Sequence, residues 1–257
     1  MRYAFGDSET AANRLAVVAR VFEPATRAFL EGVDLREPDL AVDLGCGPGH
    51  TTALVSEVFG SRHTAGLDLS EEFVERARRL APDRCSFHLH DVTAVPFPVG
   101  PADLLYCRLL LTHLDDPIDV IGRWATQVRS NGFVLLEEVE WIETDVEALR
   151  RYLEIVDEML RSQSHALYIG SELESAPAPA SLVKGSSRVR VLAVSPRDAA
   201  AMFAMNLTTW REHRFVRENL EPEEIERLQR DLEELRAQPP EGRSIVWGLR
   251  QIVFQRS

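Results

Sequence analysis

The stretch Val42-Asp43-Leu44-Gly45-Cys46-Gly47-Pro48-Gly49 joins a short apolar run to a helical pattern that begins at the next residue. Glycines in such a turn let the backbone approach a ligand closely, and the start of the following helix offers unpaired amides. The spacing is G-x-G-x-G, because His50 stands where the dinucleotide fingerprint needs its third glycine. The stretch therefore predicts strand, turn and helix, and favours nucleotide binding of some kind.

Strand and helix patterns alternate around this turn. Short apolar runs predict five strands, at 40–44, 64–69, 85–89, 102–106 and 133–139. Helical patterns lie between them, and Ser70 is placed to cap one of these helices. Such alternation implies right-handed crossovers and a parallel sheet that is covered on both faces.

A helical segment precedes the first strand. From residue 8 to about residue 30 apolar residues recur near helical spacing, and Pro24 interrupts the pattern. Proline lacks the amide hydrogen that a helix interior needs. We therefore expect two helices ahead of the sheet.

The chain after the fifth predicted strand alternates less regularly. A helical pattern and an Ala-Pro stretch predict a helix at 144–164 and a loop at 175–185. Two later apolar runs, at 189–194 and 245–254, predict strands that pair antiparallel. We interpret the intervening segments as helical insertions, at 142–185 and 195–240.

Composition excludes several classes of protein. The 257 residues are 45% apolar and 27% charged, as in a globular chain that buries a sizeable core. A net charge of -12 repels a phosphate backbone, and no run approaches the roughly 18 apolar residues of a membrane span. The first residues also lack the pattern of a signal peptide. We expect one cytoplasmic domain whose partner is a small molecule, with neither nucleic acid nor a membrane, in an oligomeric state that stays open.

Cysteine and histidine spacing gives no metal signal. The three cysteines are odd in number and far apart, which predicts reduced core thiols. His88 and His90 share one face of a strand, but no third ligand stands at a suitable distance. We therefore expect no metal.

Two acids follow neighbouring strands of the predicted sheet. Asp68 ends the second strand 23 residues after Gly45, where a carboxylate can accept both hydroxyls of a ribose. Asp91 follows the third strand and can accept from an adenine amino group. This pattern strengthens the nucleotide interpretation.

Five motifs follow one another between about residues 40 and 140. They lie at 43–49, 66–70, 90–97, 103–105 and 113–117. The series resembles class I S-adenosylmethionine (SAM)-dependent methyltransferases, in particular small-molecule members of the bacterial natural-product type. The resemblance implies an α/β fold with a Rossmann-like seven-stranded, mostly parallel sheet whose last strand is antiparallel, and it implies SAM as cofactor.

The resemblance also implies roles for individual residues. The core at 37–141 would bind SAM. Its methionine and ribose would be lined by Gly45, Gly47 and Gly49, and Asp43 would lie near its amino group. Asp68 would accept the ribose hydroxyls, Leu69 would pack on the adenine, and Asp91 with the Val92 amide would contact the adenine edge.

The segment 1–36 resembles the helical lid of small-molecule members. There a tyrosine and an arginine clamp the SAM carboxylate, which implies this role for Tyr3 and Arg14. Arg108 is a further candidate for that carboxylate. The alternatives are that Tyr3 has no role, that Arg14 is a solvated helix residue and that Arg108 forms a surface ion pair.

The sequence departs from the resemblance in two places. Members that act on protein or RNA often carry Asn/Asp-Pro-Pro-Tyr/Phe after the fourth strand, where this chain has Tyr106-Cys107-Arg108-Leu109. Methylation of nucleic-acid amino groups by that device is therefore not expected. The proline-containing loop at 175–185 replaces a regular helix, which leaves the substrate side undefined.

Two residues are candidates for proton removal from the acceptor. Methyl transfer from a sulfonium is an in-line displacement, so a base helps only where the acceptor holds a proton. His113 follows the fourth strand, and its unperturbed pKa would suit a base. Strand alternation places Glu138 and Glu140 on one face and Glu137 on the other, so that Glu138 can enter the pocket.

The acceptor atom stays open among oxygen, nitrogen and carbon. Two other functions remain alternatives: a SAM-binding protein without methyl transfer, and an enzyme that uses the bound sulfonium for a different reaction.

Overall fold

Seven strands form one sheet in the computed structural model, which describes residues 8–257. Their bounds are β1 Leu40–Leu44, β2 His63–Asp68, β3 Cys85–Leu89, β4 Ala102–Arg108, β5 Val128–Thr144, β6 Leu182–Val194 and β7 Ile245–Arg256. The order in the sheet is β3-β2-β1-β4-β5-β7-β6. The neighbours from β3 to β5 pair in parallel, whereas β7 is antiparallel to both β5 and β6. The predicted sheet with its antiparallel last strand is confirmed.

Helices cover the sheet and fill both predicted insertions. They are α1 Glu9–Glu31, α2 His50–Phe59, α3 Glu71–Leu80, α4 Pro117–Ala125, α5 Glu147–Arg161, α6 Gly170–Ser175, α7 Pro196–Trp210, α8 Arg214–Asn219 and α9 Pro222–Ala237, with a 3-10 turn at Leu111–His113. Within residues 8–257 no helix is both long and apolar enough to cross a membrane.

The expected break at Pro24 is wrong, because α1 is one continuous helix. Pro24 lies on the exposed side, so water can satisfy the carbonyl that proline leaves without an amide partner. Phe22 and Phe29, on either side of it, are both buried. Packing of these two side chains holds the helix together across the proline.

The later strands are longer than the sequence predicted. β5 begins at Val128, ahead of the predicted 133–139, and its pairing with β4 is irregular before Phe133, where Asn131 has a φ of 65°. β6 begins at Leu182 and pairs along nearly all of β7, which turns the end of the expected 175–185 loop into a strand. The backbone amides and carbonyls of β6 form hydrogen bonds with β7. The side-chain pattern of the sequence does not reveal this pairing.

The insertions have an apolar core of their own. Helices α5, α7 and α9 pack against α1 and against the end of β5 and the start of β7, with Tyr152, Phe203, Trp210 and Trp247 among the buried side chains. The inserted helices therefore stand over the carboxyl end of the sheet, beside the glycine turn.

Close packing behind the glycine turn depends on Gly66 of β2. A Cβ atom there would lie 2.7 Å from Phe87 and 2.8 Å from the Cys46 sulfur. We expect Gly66→Ala to lower the free energy of unfolding by roughly 1–3 kcal/mol, because the buried neighbours must move.

Gly122→Ala is the matched control. Gly122 lies within α4, and its added Cβ would come no closer than 3.9 Å to Pro179. Alanine in a helix should raise stability by about 0.5–1 kcal/mol. Urea denaturation measures both, and equal effects of the two variants would contradict this packing.

Candidate active site

A cavity of about 720 Å³ opens at the carboxyl end of the parallel strands. The loops after β1, β2, β3 and β4 form one side of it, and α1, α5 and α7 form the other. Its volume lies in the range of small-molecule sites, and the carboxyl edge is where open α/β sheets bind ligands.

Helix α1 forms one wall along the length of the cavity. Arg14, Leu15, Val18, Ala19 and Phe22 line it from one helical face. Leu15 stands over the glycine turn, since a Cβ at Gly47 would lie 3.3 Å from it. Seven residues later, roughly 10 Å along the helix, Phe22 packs edge-on against Trp247. The cavity thus runs from the glycine turn to the inserted helices.

Asp68 fixes the glycine turn. One carboxylate oxygen accepts a hydrogen bond from the amide of Gly47 at 2.8 Å, and the other accepts from the amide of Ser70 at 2.9 Å. Asp68 lines the cavity, as does the neighbouring Leu69, whose surface is 51% exposed. A carboxylate has about four acceptor positions, so Asp68 can hold the turn and still accept from a ligand.

The three glycines of the turn differ in what they face. All have positive φ angles, which favour glycine. Gly45 and Gly47 line the cavity. Gly49 does not, and a Cβ there would lie 2.8 Å from Phe87 behind the turn. This close packing leaves no room for a side chain, and the expected contact of Gly49 with SAM stays a prediction.

Asp43 lies beneath the turn and does not line the cavity. Its carboxylate is buried and accepts from the hydroxyls of Thr51 and Thr52 at the start of α2, at 2.5 and 2.7 Å. Burial raises its pKa to about 6, although the two hydroxyls oppose the shift. Of these residues Thr51 reaches the cavity, and the expected position of Asp43 near the amino group of SAM stays a prediction.

Asp91 and Val92 lie where the resemblance places an adenine edge. Both line the cavity. An Asp91 oxygen accepts from the amide and the hydroxyl of Thr93, at 2.9 and 2.7 Å. The Val92 carbonyl accepts from the Trp124 indole at 2.7 Å. The loop after β3 is therefore held in place on both sides.

Of the three residues expected to hold the SAM carboxylate, Tyr3 lies outside the described residues. The two arginines approach the cavity from different elements. Arg14 is only 5% exposed, which excludes a solvated helix position. Arg108 donates to the Thr26 hydroxyl at 3.0 Å, and Thr26 donates to the buried Glu137 at 2.6 Å. Arg108 is therefore part of an internal network and not of a surface ion pair.

Sequence reasoning missed the centre of this network. Glu137 is fully buried and also accepts from Tyr106 and Gln251, at 3.0 and 2.6 Å. The signal was available, because an acid in the middle of a buried strand must find donors. Glu140, by contrast, pairs with Arg250 and does not line the cavity.

Glu138 lines the cavity and holds the loop after β4. It is 1% exposed, and its Oε1 accepts from the amides of Leu110 and Leu111 at 2.8 and 2.9 Å. Burial raises the pKa of Glu138 to about 7, although these amides oppose the shift. Glu138 can therefore take up or release a proton near neutral pH.

His113 also lines the cavity, and its pKa lies below the ordinary histidine value that would suit a base. Burial lowers the pKa to about 3, and the neighbouring Arg14 and His165 add to the effect. His113 is therefore neutral at physiological pH and a weak base.

The far end of the cavity is aromatic. Tyr152 and Phe203 stack with ring centroids 3.9 Å apart, and both line the cavity with Trp247. Asn206 of α7 also lines it and donates to the Tyr152 hydroxyl at 2.8 Å. Asn206 could not be predicted from the sequence, because its neighbourhood depends on packing between two inserted helices.

Comparison with known proteins identifies the glycine-turn region. Residues 42–136 match the family model described as a methyltransferase domain. The trans-aconitate 2-methyltransferase of Methylobacterium radiotolerans is 40% identical over 95 residues, which are 37% of this chain and 36% of that protein. This chain covers less than half the length of the first curated relatives that it matches.

Solved structures share the whole fold. A chain from the complex of the Haloferax volcanii Trm112 methyltransferase activator with a methyltransferase gives a TM-score of 0.62 at 19% identity, with 100% of this chain and 99% of that chain covered. Geranyl diphosphate C-methyltransferase from Streptomyces coelicolor, bound to Mg²⁺, geranyl diphosphate and S-adenosyl-L-homocysteine, gives 0.52 at 18% identity, with 100% and 88% covered. Likeness at these identities concerns the fold.

Burial of Asp43 predicts a dependence of stability on pH. Its pKa rises from 3.8 in the unfolded chain to about 6 in the native protein, so the native state holds more protons between these values. Its contribution to stability therefore declines as pH rises through that window, by on the order of 3 kcal/mol. Asparagine carries no charge and still accepts from the threonine hydroxyls.

We expect the stability of Asp43→Asn relative to the natural protein to rise between pH 4 and pH 7. The exposed Asp39→Asn is the matched control, without such a rise. Urea denaturation across this range measures the difference. A difference that does not change with pH would show that Asp43 is not a buried charge.

Proposed function

We propose that this chain, whose residues 42–136 form a domain of the class I SAM-dependent methyltransferase family, transfers the methyl group of SAM to a small-molecule acceptor. One observation carries the proposal. A single cavity joins a glycine turn and the Asp68 carboxylate to a buried carboxyl group, Glu138, whose pKa is near neutral.

The residues at the glycine turn fit SAM. A Cβ at Gly47 would meet no atom but Leu15 within 4 Å in the described structure, so the turn offers space for a ligand. Asp68 would accept the ribose hydroxyls, and Leu69 would pack on the adenine beside Asp91 and the Val92 amide. SAM supplies a methyl group on a positively charged sulfur.

Two arginines would hold the carboxylate of SAM. A guanidinium suits a carboxylate because it can donate two parallel hydrogen bonds. Arg14 lines the cavity beside the glycine turn, and Arg108 is held toward it by Thr26. The role of Tyr3 remains a prediction of the family resemblance.

We assign proton removal to Glu138. A base is most effective when its pKa lies near the working pH, which describes Glu138 at about 7 and not His113 at about 3. His113 stays neutral and can orient the acceptor by a hydrogen bond from the same cavity.

We place the acceptor in bacterial secondary metabolism. The support is compositional: the chain has 28 arginines and a single lysine, Lys184, a bias that folding does not demand and that a GC-rich coding genome explains. The inserted helices supply the cavity wall that would distinguish one acceptor from another.

The direct test is incubation with methyl-labelled SAM and a panel of small hydroxy-, amino- and carbon-nucleophile acceptors. We expect labelled product and S-adenosylhomocysteine in equal amounts. Binding of SAM without S-adenosylhomocysteine for any acceptor would favour a SAM-binding protein without methyl transfer. Product formed without consumption of SAM would favour a different reaction.

Asp68→Ala should weaken SAM binding at least tenfold. The change removes charge-assisted hydrogen bonds to the ribose, each of order 1.5–3 kcal/mol, and releases the Gly47 amide. Calorimetric titration with SAM measures the loss, with Asp39→Ala as the control for removal of an exposed acid. Unchanged affinity would refute this cofactor site.

The pH dependence of turnover should separate Glu138 from His113. For an acceptor that holds a proton, the turnover number should rise with pH through about 7 as Glu138 ionises, and Glu138→Gln should abolish this rise and slow turnover by roughly 10²–10⁴. His113→Ala should keep the rise. Should His113→Ala remove it instead, the histidine would be the base.

A further inference from the structure

The aromatic end of the cavity offers apolar surface. Phe22, Leu153, Val156, Met202, Phe203 and Trp247 line it and belong to one apolar cluster. They come from α1, α5, α7 and β7, elements that the described core holds together by packing. A ligand that fills this end must therefore present apolar surface.

The positive charges of the cavity come from arginine side chains. Three arginines line its described part: Arg14 is close enough to shift the pKa of His113, Arg108 donates to Thr26, and Arg123 donates to the Thr93 carbonyl at 2.7 Å. The six side chains that line the apolar end carry no charge. A polycarboxylate that filled this end would therefore lose its hydration against apolar side chains.

One polar group interrupts the apolar end. Asn206 is 8% exposed, and its Nδ2 donates to the Tyr152 hydroxyl. Its Oδ1 is buried and accepts no hydrogen bond from any of residues 8–257. A buried acceptor without a donor is destabilising, and because Asn206 lines the cavity, a ligand donor that reached its Oδ1 would relieve this cost.

We propose that the methyl acceptor is a largely apolar, flat-ringed molecule that presents a hydrogen-bond donor to Asn206 Oδ1. The proposal rests on the proposed function. The stacked Tyr152 and Phe203 rings give the cavity a rigid aromatic wall for a flat ring, and Asn206 orients it. Trans-aconitate, the substrate named for one relative, does not fit this end, and the matched residues 42–136 stop before α5 and α7.

Matched naphthalenes test the hydrogen bond. Calorimetric titrations with 2-naphthol and with 2-methylnaphthalene, which lacks the donor, are made in the presence and absence of S-adenosylhomocysteine. In the natural protein the hydrogen bond to Asn206 contributes to the ratio of the 2-naphthol affinity to the 2-methylnaphthalene affinity. In Asn206→Leu that ratio should shift against 2-naphthol at least fivefold, while 2-methylnaphthalene still binds. An unchanged ratio would overturn the proposal.

Asn219→Leu is the matched control, because Asn219 lies exposed on α8. In this variant the ratio of the two naphthalene affinities should stay that of the natural protein.

A second measurement needs no variant. In the natural protein 2-acetylnaphthalene, an acceptor without a donor, should bind more weakly than 2-naphthol, and trans-aconitate should bind more weakly still. Tighter binding of either would overturn the proposed substrate class.

The two proposals fail separately. Titration of the same protein with SAM reports the cofactor site alone. SAM binding and methyl transfer without a preference for 2-naphthol would overturn the acceptor class and leave the proposed function standing. A preference for 2-naphthol that Asn206→Leu removes, in a protein that does not bind SAM, would support the apolar donor site but overturn its assignment to a methyl acceptor.

Discussion

Two carboxyl groups of the sheet hold loops that form the cavity. Asp68, at the end of β2, accepts from the amides of Gly47 and Ser70, and Glu138, within β5, accepts from two amides of the loop after β4. These amides lie past the ends of their strands, where no neighbouring strand can accept from them. The shape of the cavity at the glycine turn and at the loop after β4 therefore depends on these two acceptors.

One of these two carboxyl groups, Glu138, is also the proposed base. Burial raises the pKa of Asp43 and of Glu138, which is a cost in stability for a protein kept near neutral pH. For Glu138 that cost produces a group able to take up a proton at neutral pH while it lines the cavity. The proposed base is thus a group whose burial is costly at neutral pH, whereas Asp43 supports the turn from beneath.

The parts that could be predicted from the sequence are those set by local pattern. The glycine turn, the alternation of strands and helices and the end of β2 at Asp68 all follow from periodicity and turn chemistry. Contacts between distant segments could not be predicted. Pro24 fails to break α1 because of packing on both sides, and the burial that lowers the pKa of His113 arises from elements far apart in the chain. The hydrogen bond of Asn206 forms only because packing of the inserted helices brings Tyr152 beside it.

The proposed site requires that the glycine turn and Asp68 hold the nucleoside of SAM so that the sulfur end of the cofactor faces Glu138. A crystal structure with S-adenosylhomocysteine would show this orientation directly. We predict ribose hydroxyls within hydrogen-bond distance of the Asp68 carboxylate, adenine against Leu69 and the sulfur directed toward the side of the cavity that holds Glu138 and His113. A ribose bound away from Asp68, or a sulfur directed away from Glu138, would contradict the claim.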